Sequence, residues 1–335
     1  MKAFASIAIM TMLLTACDSS KEKTSPTTDT LQLFDSSIVA FPVGYQYPQG
    51  NTFTVLSWNV EHFVDPYDDP YINNVREDSP SENLAEKVSL FISALREADA
   101  DVVVLQEFES EKYLMTLARD SFPELNYQFF SDAASPGWYM NVVLMSRFPL
   151  GVLRAYGDVT TPVTGYRDEE GNKETQSQIN TRMWTQQVFP SESYAFWLTG
   201  VHLKAGRGER NIAMRTGQIQ FLQQQFDQLM ILDPGTNLMM TGDFNAYPNS
   251  TELAMLTDPQ NGGVLMIDPL DSMVNTHPAD VPVRRLDYMI INANMSSEMV
   301  PGSVKAVNFF SPDSMRMISD HLPVMGSFYS ENRPK

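Results

Sequence analysis

Leu238-Met239-Met240-Thr241-Gly242-Asp243-Phe244-Asn245 is an apolar run of strand type that stops in a glycine, an acid and an amide. Asp243 and Asn245 stand two residues apart, so an extended segment turns both side chains to one side. A turn closed by Asx hydrogen bonds is the plainer alternative. The same pattern recurs along the chain. Phe53-Thr54-Val55-Leu56-Ser57-Trp58 ends at Asn59, with Glu61 just beyond. Asp101-Val102-Val103-Val104-Leu105 is a β-branched run typical of a buried strand, and it delivers Gln106-Glu107. Ala195 to Leu203 carries His202 near its end, and Ser319-Asp320-His321 stands just before the apolar stretch Leu322 to Phe328. In α/β sheets, function gathers where strands stop and loops begin.

Helical patterns lie between these runs. Leu84, Val88, Phe91, Ile92 and Leu95 recur at helical spacing. Ser79-Pro80-Ser81-Glu82 before them reads as a helix start, with Ser79 as cap and Pro80 in the first position. Ile212, Arg215, Ile219, Leu222, Phe226 and Leu229 mark a long helix. Asn141 to Met145 and Leu286 to Ile291 add strands. The alternation of strand and helix, without internal repeat, predicts one α/β domain over residues 51–330 with a short tail, 331–335. Thr161 to Gln178 is long, polar and acidic, and reads as a loop near the site.

The strand-end clusters contribute amides, carboxylates and imidazoles, and no thiol. Such a set suits a hard divalent cation bound through oxygen. Each residue alone also has a bland reading. Asn59 serves as a turn residue, Glu107 as a helix cap, His202 as a satisfied core histidine, and Asp320-His321 as a solvated pair. Glu107 is harder to dismiss, because a carboxylate at the mouth of a core strand needs a partner or water. His62 and His277 read as loop residues.

Bulk properties narrow the setting. The 335 residues are 43% apolar, enough for a sizeable core, and the formal net charge is −18. So acidic a chain repels nucleic acid and anionic membrane at long range and lacks the clustered Lys and Arg of a non-specific nucleic-acid binder. A phosphate substrate is still compatible, because a bound metal inverts the local field. The single cysteine, Cys17, follows a basic start, a short apolar run and Leu14-Thr15-Ala16. Residues 1–16 therefore read as a lipoprotein signal peptide. Residues 17–50 read as a lipidated Cys17 and a linker, polar over Asp18 to Thr30. The expected location is the cell envelope of a bacterium, tethered by an N-terminal lipid anchor, with the choice of membrane open.

Taken together, Ser57-Trp58-Asn59, Gln106-Glu107, His202-Leu203, Gly242-Asp243-Phe244-Asn245, Arg285-Leu286-Asp287-Tyr288 and Ser319-Asp320-His321 resemble, in kind and order, the motifs of the endonuclease/exonuclease/phosphatase (DNase I-like) superfamily. The resemblance spans Phe53 to Phe328 and implies a four-layer sandwich, two mixed β-sheets face to face with helices outside. It implies Mg²⁺ or Mn²⁺ held by Asn59 and Glu107, with Asp320 near the metal and orienting the final His321. A second ion is left open, as Glu61 stands where some relatives have a further acid. Asp243 then matches the acid that activates water, Asn245 the amide on the phosphate, and His321 and His202 the imidazoles facing it. Asp287 matches a supporting acid, and Arg182 an arginine that neutralises phosphate. Tyr139 and Asn141 are both candidates for a further polar contact.

The resemblance implies a phosphodiester hydrolase acting on nucleic acid, a lipid or a small phosphate ester. The alternative is a phosphomonoesterase for a small phosphorylated metabolite or lipid head group. Acidity favours a small or lipid substrate over long DNA. Lys204, Arg207 and Arg210 form either a phosphate-gripping loop or a solvated helix start. No protein partner is implied. The lipoprotein reading predicts that Cys17→Ser leaves the membrane fraction or stays unprocessed. A variant that fractionates and migrates like wild type refutes it.

Overall fold

β1 (Thr52–Phe63) and β2 (Val102–Phe108) pair in parallel at the centre of one six-stranded sheet. β14 (Val324–Tyr329) joins β1, and β4 (Asn141–Ser146) joins β2, both antiparallel. β13 (Lys305–Ala306) and β3 (Phe129–Asp132) form the edges. The second six-stranded sheet repeats the plan. β9 (Tyr194–His202) and β10 (Leu238–Asp243) form its parallel pair. β12 (Asp287–Asn292) and β8 (Met183–Ser191) flank it antiparallel, with β11 (Met266–Ile267) and β5 (Leu150–Ala155) outermost. This computed structural model describes residues 39, 41–78, 82–134, 138–157, 159–176 and 182–334. Cys17, the signal peptide and most of the linker lie outside them.

Strand alternation sorts side chains between layers. Val102 and Val104 face the space between the sheets, where Val55, Val142 and Leu144 meet Trp184, Phe196, Leu198, Met239, Met289 and Ile291. Val103 and Leu105 face outward, under Phe91, Ile92 and Leu95 of α2 (Leu84–Ala98) and Leu114 and Ala118 of α3 (Glu111–Ser121). On the other side, Leu238 and Met240 lie under Ile219, Leu222, Phe226 and Leu229 of α4 (Glu209–Leu232). Both faces of both sheets are covered, which is why the central strands read as unbroken apolar runs. The result is the four-layer DNase I-like sandwich expected from the resemblance. Among the described residues no helix is long and apolar enough to cross a membrane.

Two expectations are corrected. α2 begins at Leu84, after Asn83 and a preceding short helix α1 (Val75–Asp78), and Glu82 lies in a turn. The cap expected at Ser79 lies outside the described residues. The stretch expected as a loop from Thr161 is a hairpin of β6 (Thr161–Arg167) and β7 (Lys173–Gln176). Asp168 accepts from the Asn172 amide to close its turn, and Val163 and Tyr166 pack on Ala213 and Met214 of α4. The contacts of Val163 and Tyr166 seat the hairpin on the helix despite its acidic composition.

Gly242 shows how closely the site strands approach. Its φ is +140°, and a Cβ there would lie 1.9 Å from the carbonyl oxygen of Val201 on β9. Gly242→Ala combines a clash with backbone and a disfavoured φ. It is expected to cost on the order of 3 kcal/mol or more and to lower Tm by at least about 6 °C. Thermal unfolding within 1 to 2 °C of wild type, roughly the scatter of a neutral change, would contradict this packing.

Candidate active site

The two parallel pairs end on the same side, and their last residues meet. Asn59 is in register with Gln106, while Asp243 is in register with both His202 and Asp287. Beyond Asn59 and Gln106 the register slips, marking bulges. Glu61, His62, Glu107 and Asn245 all have positive φ, at 44°, 50°, 59° and 50°. Non-glycine residues rarely adopt this region, and strain of this kind collects where side chains must be re-aimed.

The Asn59 amide lies at the centre. Its Nδ2 donates to Glu107 Oε1 at 3.3 Å and to Asp243 Oδ2 at 3.1 Å, and its Oδ1 accepts from the Glu61 amide. His202 Nε2 stands 3.6 Å from Asp243 Oδ2 and 3.8 Å from Glu107 Oε1. His321 Nε2 approaches the same Asp243 oxygen at 3.9 Å, and its Nδ1 binds Asp287 Oδ2 at 2.8 Å. Asp243 Oδ1 accepts from the Asn245 amide, and Asn245 Nδ2 donates to the Leu203 carbonyl. Arg182 packs its guanidinium over Trp138, and its Nε is buried without a partner. The fold thus brings Asn59, Glu107, His202, Asp243, Asn245, Asp287 and His321 together.

Charge divides the two imidazoles. Burial disfavours an imidazolium at His321, but Asp287 and Asp243 outweigh it and raise its pKa to about 10. His202 has no carboxylate bond of that quality. Burial first, then Arg182 and the charged His321, hold it well below the ordinary histidine value. Burial pushes the Asp243 carboxyl up, against the pull of His321.

Several residues take unexpected partners. Asp287, not Asp320, orients His321. Asp320 instead binds His277 Nε2 at 3.1 Å, and lies 3.8 Å from His321 Nε2. Burial opposes its ionisation, yet the His277 bond and the His321 charge bring its carboxyl down to about 2. The reason is topological: Asp287 opens β12 beside Asp243, whereas Asp320 sits one residue outside, against the loop that carries His277. Glu61 is engaged by Arg316 and by the Asp320 amide. Asn141 gives its amide to the Glu109 carbonyl. Tyr139 places its hydroxyl 2.8 Å from His62 Nδ1. Arg210 pairs with Glu174 of the hairpin, so that part of the basic cluster is a paired helix start.

Three residues were missed in the sequence. His62 lies one residue before the end of β1, 3.7 Å from Glu107 Oε2, and His277 packs edge-on against His321 at 4.8 Å between ring centroids. All four histidines therefore border the site. Lys87 is buried on α2, and its Nζ donates to the Glu61 carbonyl; burial lowers its pKa to about 8. The signal for Lys87 was available, since it interrupts the apolar stripe between Leu84 and Phe91.

Asp287→Asn keeps the shape and removes the charge that holds the His321 proton. The His321 pKa is expected to drop from about 10 toward the ordinary histidine range, read by NMR titration of the imidazole. A raised folded value gives stability that is complete below about pH 6.5 and lost as pH climbs through about 10. Asp287→Asn should flatten that loss. An unchanged His321 titration would contradict the pairing.

Known proteins of this shape come from several sources. An endonuclease/exonuclease/phosphatase from Beutenbergia cavernae superposes with a TM-score of 0.54 at 19% identity, over 84% of this chain and 72% of its own. The endonuclease/exonuclease/phosphatase of Bacteroides vulgatus gives 0.53 at 13% identity, over 85% and 100%. D. rerio TDP2, complexed with a single-strand DNA product, gives 0.53 at 17% identity, over 83% and 99%. At these identities the likeness is one of fold. No curated protein is similar enough in sequence to count as a relative. The sequence model of the Endonuclease/Exonuclease/phosphatase family matches residues 56–321, from β1 through His321. Enzymes of that family hydrolyse phosphoester bonds and generally use divalent metals. The chain belongs to the endonuclease/exonuclease/phosphatase family.

Proposed function

We propose that this protein is a divalent-metal-dependent phosphodiester hydrolase in which Asp243 activates the attacking water and His321 meets the charge of the transition state. The observation that carries the reading is one carboxylate oxygen. Asp243 Oδ2 lies 3.1 Å from the Asn59 amide that also holds Glu107, and 3.6 and 3.9 Å from the two imidazole Nε2 atoms of His202 and His321. A base, a charged donor and a metal-type carboxylate thus border one small volume.

The donor set fits a hard cation. Glu107 Oε1 is engaged only by the 3.3 Å amide contact and the more distant His202, and sulfur is absent. Glu107 would hold Mg²⁺ or Mn²⁺, with Asn59 beside it as the other expected ligand. A cation held there would withdraw charge from a non-bridging phosphate oxygen.

The remaining steps belong to the protein. Asp243 takes a proton from water aligned for in-line attack. His321, charged and fixed by Asp287, donates from Nε2 to an oxygen on which negative charge grows. His202, held neutral, donates or accepts without adding charge. Asn245 spends one amide hydrogen on Leu203 and keeps the other for a phosphate oxygen. Arg182, with its unpartnered Nε, supplies positive charge on the same side. Asp320 acts through His277 and His321, and in this reading it is a partner of the histidines more than a metal ligand. The Cys17 tether belongs to the same reading, placing the site near a membrane.

The test is hydrolysis of plasmid DNA, RNA, sphingomyelin, bis-p-nitrophenyl phosphate and p-nitrophenyl phosphate, each with Mg²⁺, Mn²⁺ and EDTA. Activity is expected on diesters and is abolished by EDTA. Glu107→Gln should weaken Mg²⁺ binding, and Asp243→Asn and His321→Ala should each cost on the order of 10²–10³ in kcat with the fold intact. Turnover that survives EDTA, or folded Asp243→Asn and His321→Ala variants with near-wild-type kcat, sinks the proposal. Preference for the monoester sinks the diesterase part of it.

A further inference from the structure

The segment between β1 and α2 carries a second group of acids that the reaction does not use. Carboxylate oxygens of Asp68, Glu77 and Asp78 all lie within 4.8 Å of one another. Glu77 is only 1% exposed, and its Oε2 is buried without a hydrogen-bond partner. Its Oε1 accepts from the Asp69 amide at 2.6 Å, which fixes the carboxylate within the cluster.

No basic side chain answers these charges. Among the described residues none of the three acids has an ion-pair partner. Arg76 is the only basic residue between Asp65 and Asp78, and it turns away to His62 Nε2. The other acids of the loop are spent on backbone: Asp65 accepts from the Tyr67 amide and Asp69 from the Tyr71 amide. A buried carboxylate with an unpartnered oxygen, grouped with two more carboxylates, is costly in a protein alone. A cation removes both the desolvation cost and the mutual repulsion.

We infer that Asp68, Glu77 and Asp78 form a cation site for Ca²⁺ that clasps the loop between β1 and α2. The ligands are oxygen only, so sulfur- and imidazole-seeking metals are disfavoured. They come from an irregular loop and a helix of a single turn, and Ca²⁺ accepts irregular shells of six to eight oxygens, completed by carbonyls and water. Mg²⁺ demands a near-ideal octahedron and gives up its own water reluctantly. The clasp reaches the active site through Arg76, which the same loop holds against His62, itself bonded to Tyr139 and close to Glu107. The site is separate from the one around Glu107, and its occupancy does not depend on the reaction proposed above.

Calorimetric titration with CaCl₂ and thermal unfolding of the EDTA-treated, dialysed protein test the inference. Wild type and Glu107→Gln should both bind Ca²⁺ through this site and gain a similar rise in Tm. Glu77→Gln and Asp68→Asn should lose on the order of tenfold or more in affinity and most of that rise. Asp68 is exposed, so its variant decides the matter if Glu77→Gln fails to fold. Four results overturn the assignment: no Ca²⁺ binding in wild type, loss of binding in Glu107→Gln, Ca²⁺ binding by Asp68→Asn equal to wild type, or an equal rise with MgCl₂ that the same variants remove.

Discussion

The Asn59 amide joins the two sheets at their strand ends, donating to Glu107 from one and to Asp243 from the other. Two carboxylates this close, one of them buried, repel each other and lose hydration at once. The arrangement stands because opposite charge and donors surround it. His321 is held positive between Asp243 and Asp287, Arg182 lies nearby, and His62 and His202 flank Glu107. Each of these groups reaches its place through backbone that has left regular geometry: the bulge after Asn59, the bulge at Glu107, and the close approach at Gly242. The sheets supply rigidity, and the irregular residues at their ends supply aim.

A division of labour follows from the environment of each imidazole. Nδ1 of His321 is bonded to a carboxylate, and that bond decides its charge against the effect of burial. His202 is enclosed as thoroughly but lies near Arg182 and His321, so it is kept neutral. Identical side chains about one carboxylate therefore present one fixed positive donor and one uncharged group. Such separation is useful in phosphoryl transfer, where negative charge grows on specific oxygens and not on others.

The layers were legible because the central strands are covered on both faces. Val102-Val103-Val104-Leu105 and Leu238-Met239-Met240 read as buried runs, and the acids that follow them lie at the strand ends. Asn59, Glu107, His202, Asp243, Asn245 and His321 were found from that logic and from the family resemblance. What was not legible depended on pairings set by tertiary structure. Asp287 and Asp320 lie on either side of His321, and only the register of β12 against β10 decides which binds Nδ1. His62 follows Asn59 by three residues in what would be a turn, and a bulge keeps it on the strand, facing Glu107. The hairpin from Thr161 was hidden by its acidic composition, because the two or three apolar contacts that seat it on α4 are a small fraction of its residues.

The central claim is that Glu107 of one sheet and Asp243 of the other act as a single hydrolytic centre. A double-mutant cycle on kcat/KM with bis-p-nitrophenyl phosphate tests it most directly. Residues that act as a unit lose little more together than the worse of them loses alone. The account predicts that Glu107→Gln/Asp243→Asn is no slower, within a factor of about three, than the more damaged single variant. Losses that simply multiply, with both single variants well above background, would show two independent effects and contradict the account.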